Sequence, residues 1–517
     1  MEKREYIKIG NAADLTDSKE RRIYRALEIL PGVLAWGTLA GVVFLSWVMP
    51  IFVAFFIIAF DIYWLLKTLF LGLHLRTGFA NMKKVMRVDW LARLRAMEKM
   101  DLDWREVYHL VILPMYKESY EVVGGTLESL LAANYPKDKL IIVLATEERA
   151  GKPAQKTAAK AQQEYGDKFF KFFITTHPDG IVGELAGKGS NETWAAKQVK
   201  KNFIDKSGIP YANILVSVFD IDTVIGKEYF GRLTYVFLES EDRVYCSFQP
   251  VPVFNNNIWD APSFSRVVAQ SGTFWHMMQQ ERSERLGTFS SHAMNFKSLE
   301  EMDWWSTKNV SEDSRIFWQS LLFYDAHYRV VPLYYPVSMD ANLAGTWWKT
   351  TLNVYKQQRR WGWGVENVPY VLFGFWQNKN IKFSTKVFWA FNHMEGFWSW
   401  STNALLIFML GWLPLFLGGQ AFNVSLLSYN LPQITRIIMT MAMVGMVSSA
   451  IYGLILLPPR PVKRRKWGYL MMLIQWALLP LTIIIFGSLP GLEAQTRLML
   501  GKYMEFWATP KVRQPKS

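Results

Sequence analysis

Two acidic residues set two apart, Asp220 and Asp222 in VFDIDT (218–223), close a strongly apolar run. In an extended chain residues i and i+2 face the same way. Both carboxylates can then share one divalent cation and leave positions for phosphate oxygens and water. The carboxyl ends of strands are where open α/β sheets bind ligands. A solvated strand end is the competing reading. The same spacing at Asp101 and Asp103 lies before the first apolar run of this region, with no reason to face a pocket. A second acidic pair, Glu312 and Asp313 in NVSEDSRIFW (309–318), opens a segment with helical character, with Ser311 in the N-cap place. Carboxylates also favour helix starts for purely structural reasons, and Glu241-Asp242 repeats the dipeptide elsewhere. In YKQQRRWGWG (355–364), Gln357 and Arg360 fall on one helix face. Arg360 offers a planar fork to a diphosphate, and Trp361 a flat platform to a sugar ring. An Arg- and Trp-rich membrane-interface stretch would have the same composition. GELAGKGSNETW (183–194) is not a Walker A loop, because three residues separate Gly183 from Gly187 and no Ser or Thr follows Lys188. Lys188 can still meet a phosphate; a solvated loop is the alternative.

These residues need a frame. Between residues 105 and 380, short apolar runs alternate with polar helical stretches, which predicts an α/β domain with a largely parallel sheet. The runs are 109–116, 139–146, 169–176, 214–222 and 244–254, with a helix expected over 118–134. Residues 33–75 are almost continuously apolar, too long for one crossing of a ~30 Å core and right for two, broken at Pro50. The 32 residues before that run, and its length, argue against a cleaved signal peptide. Arg21, Arg22 and Arg25 precede it, and Arg76, Lys83, Lys84 and Arg87 follow it. The positive-inside rule therefore places both ends, and the α/β domain, in the cytoplasm. Asp61 lies inside the second span, as a functional group or as a polar contact between paired helices. Residues 76–104 read as a juxtamembrane helix and 381–397 as an amphipathic helix at the membrane surface. Within 398–489, Trp398 to Leu417 and Ile434 to Leu457 read as spans, followed by the basic PPRPVKRRK (458–466). Trp467 to Leu489 is interrupted by Pro480. If it crossed, the tail 490–517 would lie outside with its Lys and Arg, so a broken, re-entrant or interfacial segment is expected.

Composition agrees with a membrane protein. The chain has 517 residues, 50% hydrophobic and 20% charged, with 23 Trp and 34 Phe; its mean hydropathy is +0.04. Disorder and fibrous repeats are excluded. The single Cys246 excludes a disulfide framework and a Cys-based zinc site. Seven scattered His without a His-Glu-x-x-His argue against a zinc hydrolase. The net charge of +14 suits anionic lipid or phosphorylated substrates; because the basic residues hug the apolar spans, no nucleic-acid partner is expected.

The order of these motifs between membrane spans resembles the membrane-embedded family 2 glycosyltransferases, such as cellulose synthase and hyaluronan synthase. The resemblance covers roughly 105–370 and the flanking spans. VILPMYKE (111–118) resembles that family's first strand and its Pro-x-Tyr-x-Glu turn, and GKGSN (187–191) its Lys/Gly/Asn segment near the donor. Asp-Ile-Asp is similar to its metal motif, Ser-Glu-Asp to its Thr-Glu-Asp motif, and Gln-Gln-Arg-Arg-Trp to its signature of processive members. FWATPK (506–511) resembles the gating loop of cellulose synthases, which implies a cytoplasmic tail. Two departures stand out. The second strand ends LATEER, with Glu147 where the family has paired Asp, and four or five spans are few for a polymer channel.

The resemblance implies a GT-A-type, Rossmann-like cytoplasmic domain inserted between transmembrane helices. It implies an inverting, metal-dependent transfer from a nucleotide-diphosphate sugar, most simply a UDP-sugar, to a growing polysaccharide at the cell membrane. Asp313 would be the catalytic base, and Asp220 and Asp222 would hold Mg2+ or Mn2+. Pro114, Tyr116, Glu118, Glu147, Lys188, Asn191, Asp220, Arg360, Thr509 and Lys511 would bind the donor, and Gln357, Trp361 and Glu312 the acceptor. Two alternatives stay open: a single transfer to a lipid such as a polyprenyl phosphate, and a transporter or receptor whose domain only binds a nucleotide.

Overall fold

A computed structural model describes residues 4–98, 101–459 and 467–510. Its centre is an eight-stranded sheet. The strands are β1 (Tyr108–Pro114), β2 (Leu140–Glu147), β3 (Lys171–His177), β4 (Ile214–Val218), β5 (Val224–Ile225), β6 (Cys246–Phe254), β7 (Ala293–Asn295) and β8 (Arg329–Met339). Their order is β3-β2-β1-β4-β7-β6-β8-β5. The half β3-β2-β1-β4 is parallel, with His109 opposite Leu140 and Ile214 opposite Tyr108. The long pairings are parallel, as expected, and the other half adds short antiparallel ones. There β7 runs antiparallel to both neighbours, β8 runs parallel to β6 through a bulge at Gln249/Val251, and β5 is antiparallel to β8. The antiparallel pairings belong to two short strands, β7 between β4 and β6 and β5 at the sheet edge.

Continuous apolar runs form the parallel strands because helices cover both faces. Along β1 and β2, alternate residues enter opposite cores. Val111, Leu113, Ile142 and Leu144 pack with Leu127, Phe230 and Phe237. Leu110, Ile112, Ile141 and Val143 pack with Ala195, Ile316 and Trp318. The stretch expected to be helical after β1 is the helix Tyr120–Leu131.

Among the described residues, four helices are long and apolar enough to cross a membrane: Ser18–Val48, Pro50–Met86, Leu426–Ile455 and Trp467–Met499. The first starts well before the apolar run, with Asp17 accepting from the Glu20 N–H as N-cap, and Pro50 opens the second. The segment expected at the membrane surface and the start of the next apolar run form one helix, Phe383–Leu410. That helix stops short of Leu417. Gly411 and Pro414 interrupt it, and the short helices Leu413–Leu417 and Gly419–Asn423 follow.

The helix Trp467–Met499 carries a 3₁₀ turn, Gln475–Leu478, just before Pro480 and a π turn, Ile484–Ser488, just before Pro490. It packs along the α/β domain. Trp476 stacks on Phe274 and Phe486 on Phe264, with centroids 5.6 and 5.4 Å apart. Glu493 pairs with Arg359 at 2.7 Å. The last described residues, 501–510, are extended and lie back on the domain.

Candidate active site

Three elements bring their ends to one place. Strand β4 ends at Val218, and the following residues turn, the Thr223 N–H donating to the Asp220 carbonyl at 2.8 Å. The helix Lys188–Val199 begins immediately after Gly187. The helix Glu312–Phe323 begins with the acidic pair. At their meeting point sits the Lys188 ammonium, 8% exposed. It lies 2.9 Å from Asp220 Oδ1 and donates to both oxygens of Asp313 at 2.8 and 2.7 Å. Glu312 and Glu192 stand 3.5 and 3.6 Å away. The approach is close because residue 189 is glycine: a Cβ there would come within 2.8 Å of the Ser306 carbonyl and 3.0 Å of Glu312 Cβ.

The electrostatics follow from burial. Burial opposes the Lys188 charge, but the Asp220, Asp313, Glu192 and Glu312 carboxylates together hold its pKa well above the ordinary lysine value. Burial pushes the Glu192 carboxyl well up, against the pull of Lys188. It also lifts Glu312 to about 7, helped by repulsion from Asp313. Oxygens of Glu192, Glu312 and Asp313 lie within 4.8 Å of one another. Both Glu192 oxygens and Glu312 Oε2 are buried without a hydrogen-bond partner. Hard oxygen donors in excess of the one ammonium fit a divalent cation such as Mg2+ or Mn2+.

The 220/222 pair differs from the extended geometry expected of it. Because the chain turns after β4, Asp220 faces Lys188, whereas the wholly buried Asp222 accepts from the Asp340 N–H at 2.9 Å, just beyond β8. Asn256 ties the two together, donating to the Asp222 carbonyl and to Asp340 Oδ1, each at 3.0 Å. Ser311 likewise makes no side-chain cap; its hydroxyl donates to Glu366 Oε1 at 2.7 Å. Glu366 also accepts from the Val310 and Ser311 N–H groups, at 3.0 Å each, and from Trp363 Nε1 at 2.8 Å. It thereby locks the start of the Asp313 helix to the end of the helix Trp347–Gly362.

His292 is a further neighbour of Asp313. Its Nδ1 lies 3.8 Å from Asp313 Oδ1 and 2.9 Å from the Phe289 carbonyl, and Trp305 Nε1 donates to Nε2 at 3.4 Å. Burial lowers its pKa. The ring is therefore neutral, with its proton on Nδ1. The Thr288 hydroxyl donates to the Asp313 carbonyl at 2.6 Å.

The other residues singled out in the sequence lie around this centre in unequal ways. Arg360 sits with its guanidinium 5.3 Å from the Phe506 ring and lends positive charge to Glu312. Phe506 itself covers Gly187, where a Cβ would approach it to 2.9 Å. Thr509 is buried beside this contact region of the tail, 7% exposed, and Lys511 falls outside the described residues. Gln357 is buried and accepts from Asn342 at 3.4 Å; Trp361 lies 5.9 Å from Phe254. Asn191 spends its amide on the Ala145 carbonyl, 2.8 Å away, pinning the Lys188 helix to β2. Beyond Pro114, the end of β1, the Tyr116 ring lies between Lys117 and Arg149, at 4.8 and 4.9 Å. The Tyr116 N–H donates to Glu118 at 2.8 Å, and Glu147 pairs with Arg149. Tyr116, Lys117, Glu118, Glu147 and Arg149 form a second cluster at the carboxyl ends of β1 and β2.

Sequence reasoning missed Glu192, Asp340, His292 and Glu366. Only Glu192 left a signal, its i,i+4 spacing from Lys188.

No family model matches the chain, and no curated protein matches it. Among solved structures, the mannosyltransferase PcManGT from Pyrobaculum calidifontis, in complex with GDP-Man and Mn2+, overlaps 74% of this chain and 99% of its own at 13% identity, with a TM-score of 0.37. S. aureus TarS 1–349 in complex with UDP-GlcNAc overlaps 77% of this chain and 93% of its own at 12% identity, also with a TM-score of 0.37. Overlaps this loose carry no chemistry over to the present chain.

Proposed function

We propose that the chain is a membrane glycosyltransferase of GT-A type that moves a sugar from a nucleotide-diphosphate donor, most simply a UDP-sugar, with inversion at the anomeric carbon. One observation carries this reading: the acidic end of β4 and the acidic start of the Glu312–Phe323 helix meet on the same ammonium, so Asp220 and Asp313 face one another across Lys188. Two carboxylates with separate tasks, one beside a diphosphate and one beside an acceptor hydroxyl, need that arrangement.

Asp313 takes the proton of the acceptor hydroxyl. The acceptor oxygen forms its bond to the anomeric carbon as the bond from that carbon to the diphosphate breaks, and the nucleoside diphosphate leaves with the electron pair. General-base assistance of this kind is worth about 10²–10⁴ in rate. Asp220 would hold Mg2+ or Mn2+, with the buried Asp222 fixing the turn behind it through the Asp340 N–H; the ion, when bound, would supply positive charge to the departing diphosphate. Arg360 adds charge on the same side. His292, neutral, stands behind the Asp313 carboxylate, its Nδ1 3.8 Å away. Tyr116, Glu118 and Glu147, clustered with Arg149 at the ends of β1 and β2, would meet the nucleoside. Trp361 and Gln357 serve the acceptor.

The acceptor is a growing polysaccharide or a lipid such as a polyprenyl phosphate. The four helices able to span, few for a polymer channel, favour the lipid; the Gln-x-x-Arg-Trp motif favours the polymer. Purified full-length protein offered UDP-glucose, UDP-N-acetylglucosamine, UDP-galactose or GDP-mannose with Mg2+ or Mn2+ should release nucleotide from one of them. No release from any donor, with lipid and glycan acceptors present, contradicts the proposal. Thin-layer separation of labelled product then distinguishes lipid from polymer.

A further inference from the structure

The mechanism above needs Asp313 free to accept a proton and Asp220 free to meet a cation. Neither is free in this structure. One ammonium holds both, at 2.7 and 2.9 Å, in a site where it is 8% exposed. We propose that Lys188 is a displaceable counter-ion: it caps the base and the metal-binding carboxylate until a divalent cation arrives, and then retreats toward Glu192. This inference rests on the transferase reading.

The geometry gives the ammonium somewhere to go. Glu192 lies one helical turn along from Lys188, on the same face, with its carboxylate 3.6 Å from Nζ; Glu312 is 3.5 Å away. Glu192 is fully buried, and neither of its oxygens has a hydrogen-bond partner. A buried carboxyl left without hydrogen bonds is costly, and an ammonium moved onto it would supply them. A change of Lys188 rotamer trades its bonds to Asp313 and Asp220 for bonds to Glu192 and Glu312. The second pair of acids thus keeps the ammonium charged and close while the first pair does chemistry. Two consequences follow. The base is uncapped only when a cation is in place, so an acceptor hydroxyl meets an active Asp313 only after the donor side is loaded. The cation must also compete with a tethered ammonium, so cation binding without nucleotide is weak in the native protein.

Binding of Mn2+ alone to the purified full chain, followed by the loss of free-ion electron paramagnetic resonance signal, tests this without turnover. Lys188→Met and Lys188→Gln should each bind Mn2+ about tenfold more tightly than the native protein, since the competitor is gone. Lys188→Arg, which keeps a cation in place, should not. Damage to the fold weakens metal binding, so a gain in affinity cannot come from a merely structural role. If Lys188→Met does not fold, Lys188→Gln carries the test. Adding Asp220→Asn to Lys188→Gln should abolish the gain. Mn2+ affinity in Lys188→Gln equal to or below that of the native protein overturns the inference; sugar-nucleotide release by the native protein is judged separately, so the transferase reading can stand when the counter-ion role falls.

Discussion

At the scale of single residues, the site concentrates four carboxylates around one ammonium, and their burial makes protonation part of the structure. Glu312 is the clearest case. Its carboxyl is raised from an ordinary 4.5 to about 7, chiefly by burial. The folded state therefore holds more protons than the unfolded chain across that window, and stability falls as pH rises through it. Glu312→Gln, which mimics the protonated acid, should leave the melting temperature near native at pH 4.5 and raise it above native at pH 8; a gap that does not widen with pH contradicts the assignment. Asp222→Asn should weaken cation-dependent donor binding, measured by calorimetry with and without Mn2+, while binding without the ion changes little. Asp220 and Asp313 were legible in the sequence because each stands at the edge of an apolar or helical run where ligands gather. Glu192 was not. A Lys and a Glu four apart are the ordinary pattern of a solvated helix face, and only the packing of the Glu312–Phe323 helix over Gly189 turns that face inward.

At the scale of elements, precision comes from two close contacts. Gly189 lets the Lys188 helix touch the Ser306 carbonyl and the Glu312 stem. Gly189→Ala should overpack this contact, costing about 1–3 kcal/mol, and lower kcat by pushing back the start of the helix that carries Glu312 and Asp313; chemical denaturation and steady-state kinetics measure both. Glu366 is the second contact. Its carboxylate takes three donors from residues 310 and 311 and one from Trp363. Glu366→Ala strands those buried donors at about 1–3 kcal/mol each and should destabilise the domain more than any single surface change. The strands β1 to β4 and β6 were readable because each is a continuous apolar run. By contrast, β5 and β7 are two and three residues long, below any useful period. The apolar runs read as strands do not include β8, which carries Pro332 and Pro336 and tolerates them beside the bulged register with β6.

At the scale of the whole molecule, the C-terminal tail lies on the α/β domain, because Phe506 covers Gly187 and faces Arg360, so the proposed membrane transferase would carry both on one side. Hydropathy and positive charge gave opposite answers for residues 467–489. Hydropathy counts apolar residues without regard to what they face: here Met472, Trp476 and Phe486 are buried in the protein, while Trp467 and Leu481 point outward. The helix packs on the domain through Trp476 and Phe486. Cys246 is fully buried, which leaves the chain free of an accessible thiol. Lys152→Cys and Glu505→Cys, both at exposed positions, should therefore react together or be protected together when intact cells meet a membrane-impermeant maleimide; opposite behaviour contradicts this topology. The whole account turns on Asp313 as the base of a sugar transfer. The most direct measurement is product formation by native protein and Asp313→Asn with the accepted donor, alongside nucleotide affinity. The expected result is transfer reduced by at least about 10²-fold with nucleotide affinity near native; full transfer in Asp313→Asn would contradict it.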